Sequence, residues 1–259
     1  MLLALDVGNT ETVMGLFSDR ADGRPEELLD HWRLATKPER TSDEMGLVIS
    51  GMLHNGGFSV EALAGVAVCS TVPRVQTETR RVVEDWLRLP SVFVGPGVRT
   101  GISILYDDPR EVGPDRIANA VGAFSRYHGA TIVVDFGTAT TLDVVTSKGE
   151  YLGGAILPGM EISLEALFQR ASLLRRVEVM EPKRVIGRST AESIQSGVIY
   201  GIAEQVDGLV RRMLEEVGPA MVLATGGLGR LVVSHCSTVA EYDPWLTLFG
   251  LSSIYYQNQ

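Results

Sequence analysis

The chain has 259 residues, of which 45% are apolar, and it carries a formal net charge of −9. That length suggests one or two domains and is enough to bury a sizeable core without staples. The negative balance argues against broad binding to nucleic acid or to an anionic membrane, although a local nest of backbone N–H groups still takes an anionic substrate.

Residues 2–6 and 12–17 read as a hairpin around the turn Asp6–Thr10, followed by a loop over Ala21–Pro25 and a strand at His31-Trp32-Arg33-Leu34. Thr41-Ser42-Asp43-Glu44 is a capping box, with Thr41 as cap and Glu44 three positions on. The helix it opens should carry Leu47, Val48, Met52 and Leu53 on one face and stop near Asn55-Gly56-Gly57. Gly65–Cys69 is a strand, Pro73–Leu89 an amphipathic helix with Arg74, Arg80 and Arg81 on its wet side, and Val92–Val94 a strand. A helix is expected near residues 112–130, where the two halves join. Residues 131–146 then repeat strand, turn and strand. Gly153-Gly154-Ala155-Ile156-Leu157-Pro158-Gly159 and a helix to about Leu174 follow, and a long helix over Ala191–Val217. Met221–Ala224 is a strand ending in the turn Thr225–Gly229, and a last helix covers Pro244–Tyr255. Strands before helices in both halves predict an α/β protein with a mixed sheet in each.

The repeat is the strongest signal. Leu3-Ala4-Leu5-Asp6-Val7-Gly8-Asn9-Thr10 returns, 129 residues on, as Ile132-Val133-Val134-Asp135-Phe136-Gly137-Thr138-Ala139. Each copy is a buried apolar run, then Asp, Gly and a cluster of small hydroxyl or amide residues. The Gly lets the chain turn and a ligand approach the backbone N–H groups. Hydroxyls and N–H groups then hold phosphate oxygens while the Asp faces a hydrated cation. The Gly-rich turn Thr225–Gly229 adds a third approach point, suited to a nucleotide.

Gly113-Pro114-Asp115-Arg116 is the candidate for chemistry. Pro114 suits the first helical position, and Ile117, Ala120, Val121 and Phe124 give the helix an apolar face. Asp115 then lies in the first turn, where the helix dipole and Arg116 keep it ionised and able to accept a proton from an alcohol. Arg116 can hold a carboxylate or phosphate bidentately. The same acid at a helix start also serves simple capping.

Other patterns carry less. Gly95–Gly101 imitates a dinucleotide turn without its spacing or helix, and Cys69–Arg74 imitates a phosphatase loop one residue short. Cys69 is a small core residue, neither it nor Cys236 belongs to a CxxC motif, and the histidines are too scattered for a metal cage. Gly197 and Gly201 inside a long helix cost roughly 1 kcal/mol each. Close packing of another helix, in the chain or across a dimer, would offset that. The cluster Arg170, Arg175, Arg176, Lys183 and Arg184 reads as a solvated face. Met1 leads straight into a strand, with no basic or long apolar leader, and the cytoplasm is the expected compartment.

Taken in order, Asp6-Val7-Gly8-Asn9-Thr10, Gly113-Pro114-Asp115-Arg116, Asp135-Phe136-Gly137-Thr138-Ala139 and Thr225-Gly226-Gly227 resemble the type III pantothenate kinase family. That family belongs to the acetate and sugar kinase, heat-shock-70 and actin superfamily. The resemblance runs to Leu246–Leu251. It implies two similar actin- or ribonuclease H-like halves, 1–118 and 119–259, with mixed sheets flanked by helices and a nucleotide cleft between them. It implies ATP-dependent phosphorylation of pantothenate to 4'-phosphopantothenate, the first step of coenzyme A biosynthesis. Asp6, Val7, Gly8, Asn9, Thr10, Glu11, Thr12 and Val13 resemble the first phosphate loop, with Asp6 near magnesium, and Thr138 a further ATP contact. Asp115 resembles the general base. Tyr106, Gly113, Pro114, Arg116 and Thr190 resemble the pantothenate site, and Asp135 the ligand of a monovalent cation, K+ or NH4+. A homodimer is implied, with no nucleic-acid or membrane partner. Glu11 stands where the family often has Asn or Ser, and Pro114 where it often has Ala. Another small-molecule kinase, a polyphosphate hydrolase, or a non-catalytic transcription accessory protein on the same fold are the alternatives.

Overall fold

The computed structural model describes residues 1–19, 27–171 and 173–259, so the expected loop Ala21–Pro25 lies outside the described residues. In chain order the regular elements are β1 (Leu2–Val7), β2 (Glu11–Phe17), β3 (Leu28–Ala35), α1 (Ser42–Asn55), β4 (Gly65–Ser70) and α2 (Pro73–Arg81). Then come β5 (Ser91–Phe93), β6 (Ser103–Ile104), α3 (Pro114–Tyr127), β7 (Thr131–Phe136), β8 (Ala139–Val145) and β9 (Glu150–Pro158). The chain closes with α4 (Met160–Arg170), α5 (Thr190–Val217), β10 (Met221–Thr225), β11 (Glu241–Tyr242) and α6 (Leu246–Gln257).

These elements form two units. The first comprises Met1–Ser103, Asp107–Ser125 and Leu246–Gln259, the second Ile104–Tyr106 and Arg126–Trp245. A cut at 118/119 misses two features: the first unit keeps α3 through Ser125, and it recovers the C-terminal helix. The reason is packing. Most of α6 is buried, from Leu246 to Tyr255, and it lies on β1, β2, β4 and β5. Gly122 and Gly250 let α3 and α6 touch backbone to backbone: a Cβ on Gly250 would meet the Ala118 carbonyl oxygen at 1.8 Å, and one on Gly122 that of Leu246 at 2.5 Å. The roughly 1 kcal/mol that a mid-helix glycine costs is offset here by a contact that no side chain permits. Thr247 Oγ1, bonded to Asn119 Oδ1 at 2.7 Å, adds a buried tie.

The first sheet runs β3-β2-β1-β4-β5. β1 pairs antiparallel with β2 and parallel with β4, so the sheet is mixed as expected. Leu3, Leu5 and Val7 join Met14, Leu16 and Leu34 in one apolar face beneath α1 and α2. On α1 both capping-box bonds form, Glu44 N to Thr41 Oγ1 at 3.3 Å and Thr41 N to Glu44 Oε2 at 2.9 Å. The buried stripe is Met45, Ile49 and Leu53, while Leu47 is 66% exposed. Of the expected face, Leu53 is buried and Val48 and Met52 pack against the core, while Leu47 alone turns outward. The expected single helix Pro73–Leu89 instead changes to a π-helical turn over Val82–Leu87 and ends at Arg88 in the left-handed region, φ 55.

The second sheet runs β11-β10-β7-β8-β9-β6. Its β9-β8-β7-β10-β11 portion repeats the order of the first, again with an antiparallel β7–β8 hairpin and parallel β7–β10. β1 and β7 share one burial pattern, with only the Asp partly open. The segment Gly153–Gly159, given no element from sequence, belongs mostly to β9. Its apolar face packs with α4 and α5. Among the described residues no helix is long and apolar enough to cross a membrane.

Candidate active site

In the first unit the site grows from the end of β1. After Val7 the chain turns sharply, and Gly8 N donates to Glu11 O at 3.0 Å. This leaves Asn9, Thr10 and Glu11 exposed at the tip, while Val7 and Thr12 are buried. Thr12 is 1% exposed. Its hydroxyl is 2.9 Å from that of Thr36, and Thr36 N donates to Thr10 O at 2.9 Å, which pins the end of β3 beside the turn. Glu11 accepts from Arg33 Nη1 at 3.0 Å.

Asp6 faces Cys69 across the β1–β4 pair, and the Cys69 thiol donates to Asp6 Oδ1 at 3.2 Å. Loss of water around the Asp6 carboxyl, with a further push from the negative charge of Asp115, raises its pKa to about 6 against the opposing effects of Cys69 and Arg33. Burial and the charges of Asp6 and Asp115 push the Cys69 thiol well above its usual range, so it stays a donor. Cys69 is thus more than a small core residue.

Asp115 occupies the first turn of α3, as the Gly-Pro-Asp-Arg spacing predicts. Its Oδ1 accepts from Arg116 N at 2.9 Å. Gly113 makes room for the carboxylate: a Cβ there would lie 2.4 Å from Asp115 Oδ1. Arg116 is only 6% exposed. The first unit therefore assembles Asp6, the β1–β2 turn and Gly113–Arg116 from segments far apart in sequence.

The second unit repeats the turn. Gly137 N donates to Ala139 O at 3.1 Å, leaving Thr138 exposed at the tip and Asp135 partly open. Gly159 and Gly226 crowd this turn. A Cβ on Gly159 would meet Thr138 O at 2.2 Å, and one on Gly226, at φ 91, would meet Asp135 Oδ1 and Phe136 O at 2.5 Å. The third Gly-rich turn thus packs directly on the Asp135 carboxylate. Tyr106 follows β6 in an irregular segment. Its ring centroid is 6.3 Å from that of Tyr151, and Gly153, at φ 109, leaves room for it. Tyr151 is fully buried and its hydroxyl donates to the buried Asp143 at 2.6 Å. Thr190 opens α5, exposed, just after the Ser189 cap.

Sequence reasoning passed over Arg33, Cys69 and the Asp143–Tyr151 pair. The alternation of β3 marks Arg33 as outward-facing, but only the pairing register brings it opposite Val13, itself opposite Asp6. Among the described residues no group of three or more His, Cys, Asp or Glu could hold a metal by itself. Asp6 beside Asp115 fits instead an ion held by one or two carboxylates, water and phosphate oxygens, which is the habit of magnesium.

A model of the type III pantothenate kinase family matches residues 2–212. A type III pantothenate kinase of Myxococcus xanthus is 51% identical over 259 residues, covering 100% of this chain and 99% of that protein. A Baf family transcriptional activator structure from Campylobacter jejuni superposes with a TM-score of 0.59 at 19% identity, over 99% and 98% of the two chains. The ROK hexokinase of Thermus thermophilus gives 0.55 at 15% identity, over 100% and 99%. At those identities the two structures speak for the fold alone. The family match and the full-length identity together establish that the chain belongs to the type III pantothenate kinase family.

Proposed function

We propose that the chain moves the γ-phosphoryl group of ATP to the primary alcohol of pantothenate, with Asp115 as general base. As a member of its family it is an ATP-dependent, divalent-metal-using pantothenate kinase acting in coenzyme A biosynthesis. The observation that carries the base assignment is the Asp115 carboxylate at the start of α3, held by its neighbour's N–H at 2.9 Å. Phosphoryl transfer asks for in-line positioning and charge stabilisation more than for covalent chemistry. Asp115 orients the alcohol and takes its proton as the new P–O bond forms. By the family resemblance Gly113, Pro114 and Arg116 of the first unit, and Tyr106 and Thr190 of the second, are the proposed pantothenate contacts, Arg116 as the partner of its carboxylate. Gly8, Asn9 and Thr10 offer N–H and hydroxyl donors to phosphate, and Thr138 does the same from the second turn. Magnesium, when held by Asp6 and phosphate oxygens, would spread the charge that develops on the transferred group.

Asp135 is the proposed seat of a monovalent cation, K+ or NH4+, supported by its position at the second turn against Gly226. We also propose a homodimer and a cytoplasmic location, where ATP is at hand. The dimer is supported by α5: a Cβ on Gly197, Gly201 or Gly208 would meet nothing within 4 Å among the described residues. The packing that would offset these glycines is thus not found among the described residues. Ile156, Ile162 and Leu167 are also exposed in the same unit. The activity is tested by following γ-phosphate from ATP into pantothenate with wild-type protein and with Asp115→Asn.

A further inference from the structure

The row Asp6, Val13, Arg33 crosses three neighbouring strands in register and on one face of the first sheet. Trp32 and Leu34 point to the opposite, apolar face. Arg33 therefore reaches out over the β1–β2 turn, and its ion pair with Glu11 spans the side of that turn at 3.0 Å. The two side chains are 37% and 52% exposed, so neither is part of the core. Thr36, bonded to Thr10 O, keeps the strand end and the turn together.

The charge balance here is unusual for a polyanion site. Glu11 is exposed at the turn, Asp6 stands at its base with the negative charge of Asp115 reaching it, and Arg116 is only 6% exposed. Arg33 is an exposed cation beside the turn, and its charge already reaches Asp6. An exposed ion pair such as Glu11–Arg33 holds its partners weakly. A guanidinium on phosphate makes shorter, charge-assisted and often bidentate bonds.

We propose that Arg33 is a nucleotide-phosphate ligand and that Glu11 is its intramolecular competitor, an electrostatic latch that lowers the affinity for ATP. Glu11 then acts at the phosphate turn through Arg33 and makes no phosphate contact of its own. The inference rests on the kinase reading. It concerns only how the first unit meets the triphosphate.

The test is calorimetric binding of ATP with magnesium to the full chain, beside steady-state KM and kcat with pantothenate. The proteins are wild type, Glu11→Gln, Arg33→Gln, Arg33→Lys and the Glu11→Gln/Arg33→Gln double variant. Glu11→Gln should tighten ATP about two- to fivefold, the worth of an exposed pair. Arg33→Gln should weaken it by about tenfold or more, the worth of a hydrogen bond to a charged group, with Arg33→Lys between. In the Arg33→Gln background Glu11→Gln should no longer tighten binding, because coupling is confined to residues that share the interaction. Weaker binding in Glu11→Gln, unchanged binding in Arg33→Gln, or an undiminished Glu11 effect in the double variant would overturn the latch. Wild-type protein that binds ATP with these shifts yet leaves pantothenate unmodified would overturn the substrate assignment and keep the latch. Phosphorylation without the shifts would do the reverse.

Discussion

The Asp115 carboxylate lies near enough to Asp6 for its negative charge to raise the Asp6 pKa, adding to the larger effect of lost water. Two acids from opposite ends of the first unit thus share one small region, and ionising both is costly without a cation. That cost has a measurable pH signature.

An Asp6 pKa of about 6 in the folded protein, against about 3.9 in an unfolded chain, means the folded state holds the proton more tightly. Ionised Asp6 therefore destabilises the fold. The penalty is absent below pH 4, grows as pH rises through 6 and is complete above it. Asp6→Asn, which keeps an acceptor for the Cys69 thiol, should stabilise the protein at pH 7.5 by about 2–3 kcal/mol and leave it unchanged at pH 4. Urea unfolding at the two pH values checks this. The same variant should lose the thermal stabilisation that ATP with magnesium gives wild type.

The turn after β10 allows a sharper steric prediction. Gly226 combines φ 91 with a Cβ position 2.5 Å from Asp135 Oδ1 and from a backbone oxygen, whereas a Cβ on Gly137 would come no closer than 3.4 Å to anything. Gly226→Ala should cost more than about 2 kcal/mol, and Gly137→Ala less than about 1. Equal melting temperatures for the two variants would show that the close approach around Asp135 is wrong.

On α5 the helix propensity and the proposed dimer pull in opposite directions. With Gly201 facing solvent, a larger residue there would stabilise the helix by up to about 1 kcal/mol. With a second copy packed on it, Gly201→Leu should split the dimer, read as a halved mass in sedimentation. A wild-type monomer, or a Leu variant that stays dimeric, would remove α5 from the interface.

Much of this was legible in the sequence because local rules and the fold agree. The Asp-x-Gly turns follow apolar runs whose burial repeats between β1 and β7. Pro114 fixes where α3 starts and so where Asp115 lies. The Thr41–Glu44 cap formed as written. What escaped depends on distant partners. Leu47 fits an apolar helical face by spacing, but α1 turns Met45, Ile49 and Leu53 inward to meet the sheet. The C-terminal helix is apolar nearly all round, which announces burial without saying where. Only the glycines Gly122 and Gly250 hint that it returns to α3. Arg33 and Cys69 acquire their meaning from strand register, since β4 sets Cys69 directly opposite Asp6 and β3 sets Arg33 in the same row on the other side, across Val13.

The most direct measurement is turnover of pantothenate by purified wild-type and Asp115→Asn protein with ATP and magnesium, with and without potassium, beside equilibrium binding of both substrates. A general base in transition-state contact predicts a kcat lower by about a hundredfold or more in Asp115→Asn, with both binding constants within a few fold, and the proposed cation site at Asp135 predicts potassium-dependent turnover in wild type. Turnover that survives the substitution, or a loss confined to substrate binding, would contradict the role of Asp115 on which the account rests.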